Sequence, residues 1–239
     1  MAFTAADVKK LREMTSVGMM DCKKALTEAD GDFDKAIELL REKGLAKAAK
    51  KADRIAAEGL VKATVCDECG VGAIIEVNSE TDFVAKNADF QQFVSDVANV
   101  VIKDAPADVE ALKACKMGEG TVQDALQEKV LTIGENLQIR RFERFDNSTV
   151  NVAYNHMGGV IGVLVGLEVS EGLKDNATVK ELGKDIGMQA AAMNPSFLDK
   201  SDVDEATLAK EKEILLIQAL EENKTAAKPK AEQIIHKMV

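Results

Sequence analysis

The sequence predicts an α+β protein, in which helices and antiparallel strands occupy separate stretches of chain and do not alternate as βαβ units. Three observations carry that class. Apolar residues recur at helical spacing through the first 44 residues, they switch to a period of two from Gly59 and again from Leu137 to Val169, and a charged helical pattern returns at the C-terminal end.

Thr4 with Asp7 three residues later has the pattern of a capping box, and Val8, Leu11 and Met14 follow at helical spacing. A first helix therefore ends near Ser16-Val17-Gly18, and a second runs from Met19 to about Ala29. Asp30-Gly31-Asp32 reads as a turn, with Asp32 as N-cap of a third helix marked by Phe33, Ile37 and Leu40 and stopped by Gly44. Residues 1–44 thus read as a small independent three-helix module. Residues 45–57 are Ala-rich and basic (Lys47, Lys50, Lys51, Arg54) and read as a linker, helical or flexible.

From Gly59 two alternating runs flank Asp67-Glu68-Cys69-Gly70, which predicts a β-hairpin ending near Asn78. Phe90, Phe93, Val94, Val97, Val100 and Val101 then form a helical stripe, and shorter helices follow Pro106 and Thr121. Three strand-like runs come next, Leu137 to Phe145, Thr149 to Asn155 and Val160 to Val169, and then a helix from about Thr178 to Met193. The core divides into a first subdomain, 58–136, and a second, 137–198. Residues 199–239 read as a charged helix with an apolar seam (Leu208, Ile214, Leu215, Ile217, Leu220), a break at Lys228-Pro229-Lys230 and a further helix from near Ala231. Two helices joined in that way read as an antiparallel hairpin, and its seam leaves open a homodimer through a coiled coil.

With 31 Lys and Arg against 41 Asp and Glu over 239 residues, the net charge is -10, and so acidic a chain repels a phosphate backbone. Nucleic acid is not expected as a direct partner. The four cysteines are scattered apart from one close pair, and Met1 runs straight into polar helical sequence, which points to the cytoplasm. No apolar run reaches the roughly 18 residues of a membrane span, the nearest being Val160 to Leu167.

Sequence motifs for chemistry are weak. No phosphate-binding G-x-x-x-x-G-K-[ST] exists, since Gly183-Lys184 is followed by Asp185 and lacks the upstream glycine. Gly158-Gly159-Val160-Ile161-Gly162 lacks the dinucleotide-binding order and precedes a strand, so it reads as a hairpin turn. Cys66-Asp67-Glu68-Cys69 is half of a zinc-ribbon pattern and sits at a turn, not at the helix start that lowers a redox thiol's pKa. His156 has no nucleophile placed by local sequence. No catalytic residue, metal or cofactor is expected, and the chain does not read as an enzyme.

Two apolar features stand out. Met19 and Met20 are adjacent, so in a helix they point about 100 degrees apart; either one joins the core while the other faces outward, or both fill the core. Exposed Met suits a protein-binding surface, because its side chain is flexible and polarizable. The other feature is Thr81-Asp82-Phe83-Val84 at a strand-to-helix corner. A corner Phe usually belongs to the core; the alternative is a protruding wedge.

Four runs taken together, Met19-Met20-Asp21-Cys22-Lys23-Lys24-Ala25-Leu26, Glu76-Val77-Asn78, Thr81-Asp82-Phe83-Val84-Ala85-Lys86 and Tyr154-Asn155-His156 followed by Ile161-Gly162-Val163-Leu164-Val165, closely resemble the bacterial elongation factor Ts family in their order along the chain. The resemblance spans essentially the whole chain. It implies a guanine nucleotide exchange factor for the GTPase elongation factor Tu, with a ubiquitin-associated-like N-terminal module, a two-subdomain core and a coiled-coil hairpin. By resemblance, Arg12, Met19 and Met20 dock on the GTP-binding domain, Thr81, Asp82, Phe83 and Val84 intrude near its magnesium site, and His156 adds a contact. Family members of this type continue beyond the Lys228-Pro229-Lys230 turn into a segment that also contacts the GTPase, so a chain stopping at Val239 is expected to carry a hairpin truncated in its second helix. Two competing readings are an adaptor whose first 44 residues bind ubiquitin-like domains and a C-x-x-C metal or redox protein.

Overall fold

The structure, a computed structural model, describes residues 3–15, 17–51, 54–225 and 228–238. Ser16, where the first helix is expected to end, residues 52–53 of the linker and the last residue lie outside the described residues, as do the side chains of Lys47 and Lys50. The chain divides into two compact units, residues 1–192 and 193–239.

The first three helices are α1 (Ala5–Thr15), α2 (Met19–Glu28) and α3 (Phe33–Lys51). Thr4 and Asp7 cap α1 reciprocally, the Asp7 carboxylate accepting from Thr4 N at 2.7 Å and Thr4 Oγ1 accepting from Asp7 N at 3.3 Å. Asp32 accepts from Lys35 N at 3.1 Å and caps α3. Leu11, Cys22, Ala25, Leu26, Ala36 and Leu40 fill a core of their own. Gly44 does not stop α3. A Cβ there would meet Leu131 Cδ2 at 3.2 Å, so within the helix the glycine serves close packing and not a left-handed cap. The module is accordingly not free of the core: α3 runs on to Lys51 and packs against a later helix, and Leu131 lies against the module's own cluster.

β1 (Glu58–Val65) and β2 (Gly72–Ser79) pair antiparallel from Glu58↔Ser79 to Val65↔Gly72. After them come α4 (Asp82–Ala85), α5 (Ala88–Asp104), α6 (Val109–Ala114), the two-residue strands β3 (Lys116–Met117) and β4 (Gly120–Thr121), and α7 (Val122–Ile133). Thr121 and Asp124 form a full capping box on α7. β5 (Gln138–Phe145) pairs with β2, giving a sheet of order β1-β2-β5 with a register shift at Glu76/Val77. The strand that opens the second half of the core in the sequence thus completes the sheet of the first. Phe90, Phe93, Val94, Val97 and Val101 of α5 pack on Ala73, Ile75 and Val77, with Leu112, Val122 and Val130 closing the cluster. Burial of these side chains, about 1.5–3 kcal/mol for each large one, is what fixes α5 on the sheet.

β6 (Val150–His156) and β7 (Ile161–Leu167) form a separate hairpin against β1. Its side of β1 is a free sheet edge, which Asn155 satisfies by accepting from Ala63 N and donating to Ala63 O, both at 2.8 Å, while Val61 N donates to Gly159 O at 2.8 Å. Gly159 has φ +103, and a Cβ there would lie 2.2 Å from Leu60 Cδ1 and 2.8 Å from Val61 O. Gly159→Ala is therefore expected to lower unfolding free energy by about 1–3 kcal/mol or more, measured by urea denaturation. The long helix α8 (Ala177–Met193) sets its two buried residues, Gly183 and Gly187, against Val152 and Tyr154.

In the second unit, α9 (Glu205–Thr225) and α10 (Glu232–Met238) pack on each other. Asn223 ties the connection by donating to Lys230 O at 2.9 Å and accepting from Lys230 N at 2.7 Å, and Ile235 is buried. The α9 seam residues Leu208, Ile214, Leu215 and Ile217 are exposed.

Candidate functional site

The corner between β2 and α5 is built to hold one side chain outward. Ser79, fully buried at the end of β2, donates its hydroxyl to Thr81 O at 2.9 Å. Glu135, just past the end of α7, accepts from Glu80 N and Thr81 N at 3.0 Å each through Oε2, and from Thr81 Oγ1 at 2.6 Å through Oε1. Asn136 N donates to Glu80 Oε1 at 2.7 Å, and its side chain donates to Arg54 O at 2.8 Å. The Asn136 amide holds the Glu80 carboxyl below its ordinary range, with Arg54 adding to the effect. Asn87 then caps α5 by accepting from Asp89 N and Phe90 N.

On this base α4 is a single turn. Val84 points into the core, whereas Phe83 is 79% exposed. Adjacent helical residues point about 100 degrees apart, so burying Val84 turns Phe83 to solvent. The core reading of Phe83 is thereby replaced: its ring stands outside the hydrophobic cluster. Lys86 bonds Asp82 at 2.6 Å, lies 6.0 Å from the Phe83 ring centre, and draws the Asp82 carboxyl below its ordinary range.

A second group lies at the α1–α2 junction. Met19 is 41% and Met20 63% exposed, so neither joins the core. The inward stripe of α2 begins only at Cys22, followed by Ala25 and Leu26, and the first turn projects past it. Met14, expected in the core stripe of α1, is exposed as well, and Arg12 is exposed in the last turn of α1, where a cation suits the carbonyl end of the helix. Three methionines and an arginine therefore flank one turn.

His156 ends β6, half-buried, with Nδ1 bonded to the Tyr154 hydroxyl at 2.8 Å. Nε2 is left as the ring's other polar atom. Beyond it Met157 is exposed, and an open cleft of about 490 Å³ runs between this turn, β1 and the first turns of α5, lined by Lys62, Gln91, Gln92, Ser95 and Asn155 among others. The turn after His156, through Gly158 and Gly159, and the first turns of α5 thus border one cleft.

Cys66 and Cys69 lie in the β1–β2 turn, with Gly70 N donating to Cys66 O at 2.8 Å and Cys69 N to Cys66 Sγ at 3.2 Å. The Cys69 thiol's hydrogen bond lowers the Cys66 pKa.

Sequence reasoning missed Glu135, Glu80 and Asn136. Glu135 meets its partners across 54 and 55 residues of chain, and the only local signal is the helix-ending Gly134 before it, in the left-handed region at φ +88.

The profile described as "Elongation factor TS" matches residues 80–239, beginning at this corner. The chain is 50% identical over 238 residues to "Elongation factor Ts" of Clostridium perfringens strain SM101, covering 99% of this chain and 76% of that one. The chain belongs to the elongation factor Ts family. The Clostridioides difficile protein of the same name is 49% identical over 237 residues (99% and 75% covered), and that of Syntrophotalea carbinolica 49% over 242 (100% and 77%). As a member of the elongation factor Ts family it is a nucleotide exchange factor of translation elongation, working in the cytoplasm on elongation factor Tu, and it is not an enzyme.

Proposed function

We propose that the chain releases GDP from elongation factor Tu by inserting Phe83, on the Thr81-Asp82-Phe83-Val84 corner, where it displaces the elements that position Mg²⁺, while Arg12, Met19 and Met20 anchor the docking and His156 adds a contact. The observation that carries this reading is Phe83 itself, a Phe 79% exposed on a turn whose neighbour Val84 is buried and whose base is pinned by Glu135. Leaving a Phe in water forgoes about 1.5–3 kcal/mol that burial in a partner recovers. A GTPase that holds GDP at nanomolar affinity holds it by about 12 kcal/mol, through Mg²⁺, phosphate and base contacts acting together. An exchange factor need only bind the nucleotide-free GTPase more tightly than the GDP form, and by reciprocity the same differential weakens GDP binding.

Stopped-flow release of fluorescent GDP from elongation factor Tu, with and without the chain, tests the reading: release is expected to accelerate and to saturate with chain concentration, and a rate independent of the chain would refute it. The exposed seam of α9 supports pairing of two copies through the tail as part of the same proposal.

The cysteine turn lies outside this mechanism. Cys66→Ser with Cys69→Ser is expected to leave release unchanged and to move Tm by less than about 2 °C, because a turn accepts Ser readily. Stoichiometric zinc lost together with stability in that variant would show the pair to be a metal site instead.

A further inference from the structure

We propose that Glu135 is a positioning residue for exchange: one loop, Gly134-Glu135-Asn136, holds both the base of the Phe83 corner and the end of the docking module's last helix, so that docking through α1 and α2 fixes where Phe83 is delivered. The inference deepens the wedge reading above and rests on it.

On the corner side, a single carboxylate accepts all three donors that Glu80 and Thr81 present, two backbone N–H groups and one hydroxyl. A four-residue helix cannot hold its own geometry, because nucleating one turn fixes many dihedrals for few hydrogen bonds. Its direction is therefore set from outside, by Glu135 at the entry and by buried Val84 behind it. On the module side, Lys51 at the end of α3 donates to Gly134 O, Arg54 O accepts from Asn136, and Arg54 pairs with Glu80 at 3.3 Å. Higher on the same helix, Gly44 abuts Leu131 of α7, the helix that ends at this loop. The α3 end, the loop and the corner thus form one hydrogen-bonded chain.

Five variants of the full chain, Phe83→Ala among them, test this in the GDP-release assay with unmodified elongation factor Tu. Glu135→Ala is expected to lower the saturating release rate about tenfold while moving the half-saturating concentration less than about threefold. Glu135→Gln is expected to restore the rate to within about threefold of the parent, because the amide oxygen still accepts from both N–H groups while the NH₂ donates to the Thr81 hydroxyl, which reverses its role. Glu135→Ala combined with Phe83→Ala is expected to be no slower than Phe83→Ala alone within about twofold, since one residue acts through the other. If Glu135→Ala does not fold, Thr81→Val removes only the hydroxyl bond and is expected to lower the rate about threefold. An unchanged saturating rate in Glu135→Ala, or in Thr81→Val where that variant stands in, would overturn the positioning role, as would a Glu135→Ala defect that multiplies in full with that of Phe83→Ala. Phe83→Ala at the parent rate would instead overturn the wedge reading beneath it.

Discussion

Phe83→Ala is expected to slow saturated GDP release at least about tenfold, each decade corresponding to about 1.4 kcal/mol of lost differential binding. Its stability cost is expected to stay within about 1 kcal/mol, because the ring is 79% exposed and little packing is lost. A buried Phe behaves otherwise, losing about 3–5 kcal/mol on truncation. Melting temperature and release measured on one preparation separate the two cases: a destabilised variant with normal release per folded molecule would place Phe83 among the structural residues.

Met19→Ala with Met20→Ala is expected to raise the half-saturating concentration about tenfold while changing the saturating rate less than about threefold, because anchoring removed equally from ground and transition states appears in the concentration dependence alone. Both side chains are exposed and the three-helix core begins behind them at Cys22, so Tm is expected to hold within about 2 °C. Titration of release against chain concentration reads both parameters. A lowered saturating rate at unchanged half-saturation would assign these methionines to the exchange step instead.

The elements were legible where local rules decide them. The Thr4–Asp7 cap, the Asp32 cap, the α5 stripe and the hairpin around residues 66–71 follow from neighbours within four residues or from strict periodicity. Gly44 was misread because a glycine beyond a helical stripe signals a stop, and only the approach of Leu131, 87 residues later, shows it packed inside a longer helix. Phe83 and Met20 were undecided for the same reason: which of two adjacent apolar residues faces inward depends on where the helix lies on the core. Glu135 was illegible, since an acidic residue after a helix looks like any solvated carboxylate until the fold brings residues 80 and 81 to it. The family resemblance pointed to Thr81–Val84 but not to what holds it.

The most direct test of Mg²⁺ displacement by the corner compares the parent chain and Phe83→Ala at saturation, with GDP release from elongation factor Tu followed in millimolar Mg²⁺ and again with the metal chelated. If Phe83 acts by moving the Mg²⁺-positioning elements, the loss of about tenfold or more seen with Mg²⁺ shrinks to within about threefold once the metal is removed beforehand. An equal loss under both conditions would contradict that mechanism.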